Sequence, residues 1–115
     1  MNSTIWLEES DFHARVEAVM QAIETAVEDA AGNIDADIDA ETTGGILTLE
    51  FANGSKVIIN RQTPNREIWV AAKSGGFHFR YDGAGWRDTR SGESLSALLG
   101  RVIAEQSGAA MSIAL

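Results

Sequence analysis

Seventeen carboxylates in 115 residues give this chain a formal net charge of −8, and their spacing is the first chemical fact about it. Asp35-Ala36-Asp37-Ile38-Asp39-Ala40-Glu41 alternates acids with small or apolar residues, the period-2 pattern of a strand. The alternation predicts Asp35, Asp37, Asp39 and Glu41 on one face, each roughly 6.6 Å from the next. Like charges in a row repel, so such a row calls for either solvent screening or a bound positive partner. The pattern also resembles the start of a calcium loop, but the sixth position, which must be Gly, is Ala40, and the twelfth, which must be acidic, is Ile46. What remains is an open row of oxygen ligands, suited to weak and multiple binding of hard cations such as Fe²⁺, Fe³⁺, Mn²⁺ or Ca²⁺.

A second set of acids lies on the preceding segment. Phe12, Val16, Val19, Met20, Ile23 and Val27 recur at helical spacing, with Ser10 as the expected N-cap and Gly32 as the expected stop. At 100° per residue, His13, Glu17, Glu24 and Glu28 share one flank of that helix. His13 and Glu28 are roughly 22 Å apart along the axis and cannot share one ion, whereas the pairs His13/Glu17 and Glu24/Glu28 can.

These groups need a scaffold, and the stretch from Gly44 to Trp86 supplies it. Leu47, Leu49 and Phe51 alternate with Ile46, Thr48 and Glu50; Asn53-Gly54 is a tight hairpin turn; Lys56 to Asn60 is the returning strand. After Pro64, strands are expected over 68–72, 77–81 and around Trp86, joined by Ser74-Gly75-Gly76 and Asp82-Gly83-Ala84-Gly85. Leu95, Leu98, Leu99, Val102 and Ile103 mark a closing helix over 94–106, stopped by Gly108, with a tail packing through Met111, Ile113 and Leu115. A helix, an antiparallel meander and a helix make an α+β two-layer sandwich with both helices on one face of the sheet. Residues 1–9 form a lead that is either frayed or an extra turn of helix, and 10–115 one domain.

With Ile68, Val70, Phe77, Phe79 and Tyr81 turned to the core, the open face carries Trp69, His78 and Arg80, with Asn60 and Gln62 nearby. An aromatic among amide and basic groups on an exposed face suits protein recognition, the alternative being that neighbouring side chains partly cover Trp69.

Composition narrows the functional classes further. The absence of cysteine excludes disulfides and protein-held thiolate clusters. Residues 1–50 hold 12 acids and one base, net −11, while residues 51–115 hold 5 acids and 8 bases, net +3. The acidic half argues against nucleic acid and anionic lipid as ligands. No secretion signal or membrane span is read, so the expected location is cytoplasmic and the Asn53-Gly54-Ser55 sequon is only a turn. Neither histidine has a triad context, no phosphate loop exists, and no Glu-x-x-His motif of a di-iron bundle occurs. The chain is therefore not read as an enzyme, and ferroxidase or iron-storage chemistry ranks as the alternative.

Several short motifs in a fixed order carry a resemblance. They are Ser10-Asp11-Phe12-His13, Gly44-Gly45-Ile46-Leu47-Thr48, Asn53-Gly54-Ser55-Lys56, Asn60-Arg61-Gln62-Thr63-Pro64, Ile68-Trp69, Gly75-Gly76-Phe77-His78-Phe79 and Ser91-Gly92-Glu93-Ser94-Leu95. Across residues 10–106 the chain resembles the frataxin family in its bacterial, CyaY-type form. The resemblance implies an iron-binding ridge at Glu24, Glu28, Asp29, Asp37, Asp39 and Glu41, with Asp35 beside it and the early histidine at His13. It implies a role in iron–sulfur cluster assembly through a cysteine desulfurase and a scaffold protein, the sheet contacts falling on Asn60, Gln62, Trp69 and Arg80. It also implies a monomer that associates further when iron is present. The ridge is thinner than the family's usual run, since Ala30-Ala31-Gly32-Asn33 and Thr25 stand where acids are common.

Overall fold

The computed structural model describes residues 5–34, 37–110 and 112–115. Helix α1 (Glu9–Ile34) leads into strands β1 (Ile38–Thr43), β2 (Ile46–Phe51), β3 (Lys56–Gln62), β4 (Glu67–Ala72), β5 (Gly75–Tyr81) and β6 (Trp86–Asp88), and helix α2 (Leu95–Ser107) closes the chain. The six strands form one antiparallel sheet in sequence order. Each connection is short enough to keep neighbours in sequence neighbours in space.

Turn chemistry sets the register. Gly44 and Gly45 take φ of 60° and 81°, the mirror-image turn that joins two twisted strands, and this pairs Thr43 with Ile46 and Ile38 with Phe51. At Asn53-Gly54, Gly54 has φ of 84° and its N–H reaches the Phe51 carbonyl at 2.9 Å. Between β3 and β4, Pro64 sits in a 3₁₀ turn whose start is capped by the Gln62 side chain.

Both helices pack on the same sheet face, as the patterning predicts. Phe12, Val16, Ile23 and Val27 of α1 and Leu98, Leu99, Val102 and Ile103 of α2 are buried against Leu47, Leu49, Val57, Ile59, Ile68, Val70 and Phe79. Ser94 caps α2 by accepting the Ala97 N–H, and Gly108 ends it in the left-handed region.

Four expectations need correction. α1 begins at Glu9, one residue before the expected Ser10 cap, with the Glu8 carbonyl accepting the Phe12 N–H. It also runs through Gly32 to Ile34 instead of stopping there, because Gly32 keeps negative φ and remains helical. The first strand begins at Ile38 and extends to Thr43, so Asp37 precedes it; Asp35 lies outside the described residues. The lead is held from Ile5 onward, whose N–H meets the Tyr81 carbonyl at 2.9 Å, and Leu7 enters the core at 5% exposure. Arg66 secures it by donating from Nε to the Leu7 carbonyl at 2.9 Å while its guanidinium stacks on Trp6. In the tail Ile113 is buried and Leu115 exposed; Met111 lies outside the described residues. Among the described residues no helix is long and apolar enough to cross a membrane.

Candidate functional site

The acids gather around the free edge of the sheet in two groups, because β1 is an edge strand and its alternate residues face opposite ways. Ile38, Ala40 and Thr42 turn toward α1, while Asp39 and Glu41 stand on the open face. On the helix side Glu17, Glu24 and Glu28 line a shallow depression of about 420 Å³ together with Thr42, whose hydroxyl donates to Glu24 Oε2 at 2.8 Å. On the other side Asp37, Asp39 and Glu50 rim a polar hollow of about 300 Å³ beside Gly54. Glu41 pairs with Thr48 on the open face, and Asp29 is exposed on α1 and lines neither hollow.

His13 does not join the helix-side group. Its ring lies edge-on to Phe12 at 5.8 Å, and its Nε2 is buried without a hydrogen-bond partner among the described residues. His13 is half-buried and does not line the depression that Glu17 shares with Glu24 and Glu28. Among the described residues no three His, Asp or Glu side chains converge closely enough to enclose one metal ion. The arrangement suits hydrated hard cations held loosely by separate carboxylates, not a caged ion.

The other expected site residues share the open face of the sheet in two adjacent rows. Thr43, Ile46, Asn60, Trp69 and His78 form one row across β1 to β5. Gln62, Glu67, Arg80 and Arg87 form the next across β3 to β6. Trp69 and His78 are stacked with centroids 4.4 Å apart and planes 9° from parallel. Gln62 also serves the fold, since its Oε1 accepts the Asn65 N–H at 3.0 Å. Beyond Arg87, Asp82 accepts the Ala84 and Gly85 N–H groups, which lower its pKa, and takes the Arg87 Nε–H at 3.2 Å.

Two residues of these groups went unread in the sequence. Glu50 faces Asp39 directly across the β1–β2 ladder, a pairing that follows once Gly44-Gly45 is taken as the turn. Glu67 is buried beneath Trp69, His78 and Arg80; its parity with Trp69 was the available signal, but the strand was expected to open one residue later, at Ile68.

The frataxin-like domain family matches residues 5–109. The iron-sulfur cluster assembly protein CyaY of Cupriavidus pinatubonensis is 56% identical over 71 residues, which cover 62% of this chain and 64% of that protein. The chain thus spans just under two thirds of the length of that relative. The CyaY protein of Paraburkholderia phymatum is 48% identical over 108 residues, 94% of this chain and 99% of its own. Among solved structures, frataxin from Psychromonas ingrahamii superposes with a TM-score of 0.85 at 34% identity, covering 95% of this chain and all of that one. Trimeric frataxin from the yeast Saccharomyces cerevisiae, in its ferrous complex, superposes at 0.64 with 26% identity over 91% of this chain and 90% of its own.

Proposed function

We propose that this chain, which belongs to the frataxin family, is a cytoplasmic, non-enzymatic iron-binding protein that regulates or supplies iron–sulfur cluster assembly. The observation that carries the reading is the separation of two unlike surfaces on one rigid sheet. Acids wrap the β1 edge through Glu17, Glu24, Glu28, Asp37, Asp39 and Glu41, while a tryptophan set among amide and basic groups occupies the β3–β5 part of the open face. In this reading iron is cargo on the carboxylates, and the same acids dock on a basic patch of the cysteine desulfurase. Iron bound there neutralises charge that the desulfurase contact needs, so the two compete for the ridge. Asn60, Gln62, Trp69 and Arg80 meet the scaffold protein.

The deciding measurement is turnover of the organism's own cysteine desulfurase with its scaffold, with and without this protein, across a range of Fe²⁺ concentrations. An iron-dependent change supports the regulator. No change at any iron level removes it and leaves the second reading, iron storage, which draws support from the ferrous complex of the yeast trimer.

A further inference from the structure

Glu67 stands on the open face of the sheet, yet its side chain is only 7% exposed, because its neighbours close over it. Trp69 Nε1–H donates to Oε1 at 2.7 Å, and Arg80 Nε–H donates to Oε2 at 2.7 Å. His78 Nδ1 lies 3.8 Å from Oε1, and its ring covers one face of the Trp69 indole. Both carboxylate oxygens are therefore engaged, one by a neutral donor and one by a cation. Withdrawing a carboxylate from water costs stability even when it is paired, and an apolar residue would cover the sheet at lower cost. The arrangement instead removes freedom from two side chains that otherwise swing. Trp69 loses rotation about its side-chain torsions, and the long Arg80 side chain is tied at its Nε.

We propose that Glu67 is a positioning residue, locking Trp69 and Arg80 into one rigid unit that recognises a partner segment presenting a carboxylate beside an apolar side chain. The proposal rests on reading this face as the scaffold-binding surface. The chemistry of the partner follows from what Glu67 leaves over. The indole N–H is already taken and one ring face is covered, so Trp69 offers its remaining apolar surface. Arg80 is 42% exposed, and its terminal amino groups have no side-chain partner among the described residues, so they are available as a fork for a carboxylate. Arg87 stands directly across β5–β6 from Arg80 on the same row, with its own charge paired to Asp82 at 3.2 Å, so Arg80 is the cation this row leaves for a partner. Preorganising such a pair raises affinity by removing the ordering cost of binding.

The test uses the full chain and the scaffold protein, with Glu67→Gln, Trp69→Ala, Arg80→Gln and the double variant Glu67→Gln/Arg80→Gln. The amide keeps an acceptor for the indole but loses the charge that holds Arg80, so Glu67→Gln is expected to weaken scaffold binding about tenfold. It should also move the Trp69 indole N–H resonance while leaving the bulk of the amide spectrum in place. In the Arg80→Gln background the same change should cost much less, because the charge it removes no longer has Arg80 to hold. Equal losses in both backgrounds, or unchanged affinity and indole resonance in Glu67→Gln, overturn the positioning role. Unchanged binding in both Trp69→Ala and Arg80→Gln instead overturns the reading of the face itself, and the inference with it.

Discussion

Asp39 lies directly opposite Glu50 across the β1–β2 ladder, and Lys56 is the next residue in the same row on β3. Two carboxylates in cross-strand register destabilise a sheet, and one lysine on the far side of Glu50 relieves only part of that repulsion. Replacing Asp39 with Asn should therefore raise stability by about 0.5 kcal/mol in urea denaturation while weakening Fe²⁺ binding and the desulfurase contact. A loss of stability, or unchanged affinity for both iron and desulfurase, would detach this pair from the ridge.

Trp69 is half-buried on the open face, and its indole is held by Glu67 and His78, not by the core. Trp69→Ala should fold normally and bind iron as before. Its affinity for the scaffold should fall by about 2 kcal/mol, roughly thirtyfold, as for an aromatic anchor at an interface. Titration of the labelled scaffold checks this. A cooperative unfolding transition lost together with binding would make Trp69 a structural residue.

The lead offers a contrast between two adjacent residues. Leu7 is in the core at 5% exposure, whereas Trp6 is 61% exposed and touches Arg66 through its ring. Leu7→Ala should cost about 2 kcal/mol by leaving a cavity under α1. Trp6→Ala should cost less than about 1 kcal/mol, the range of an exposed cation–π contact. Thermal denaturation separates the two, and equal effects would contradict the anchoring of the lead.

Strands β2 to β6 were legible as strands because period-2 patterning and turn residues agree on their order and centres, although β3 runs on to Gln62, β4 opens at Glu67 and β5 opens at Gly75, inside the expected turn. β1 was legible as a strand but its start was not, because that start is decided by its partner. β2 ends at Phe51, where the Gly54 turn begins, so the ladder starts at Ile38 and Asp37 precedes it. Rows across the sheet follow from register, which periodicity within one strand does not carry. Trp69, His78 and Arg80 were legible as outward residues one by one, with Asn60 placed only nearby, while Glu50 and Glu67 acquire meaning only from the strands beside them. Buried polar links between distant segments are equally invisible. Gln106, for example, takes the Lys73 N–H and donates to the Lys56 carbonyl, fastening α2 to β3 and to the β4–β5 turn from a position that reads simply as helix.

The β5–β6 turn should report its own titration. Asp82 Oδ1 accepts the N–H groups of Ala84 and Gly85, both at 2.8 Å, and these bonds favour the ionised form, with Arg87 adding to them. A carboxyl whose pKa is lowered by folding contributes stability that is complete above its unfolded value and is lost as pH falls through the folded one. The amide resonances of Ala84 and Gly85 should therefore titrate together with a midpoint below the ordinary aspartate value of 3.8. Asp82→Asn keeps an acceptor oxygen for the turn but has no proton to gain, so the same two amides should lose that transition. A midpoint at or above 3.8 in the unaltered chain would mean that these two N–H groups do not hold the carboxylate in solution. The neighbouring Arg87, and with it the outer end of the Arg80 row, would then be less firmly placed than the 3.2 Å contact to Asp82 implies.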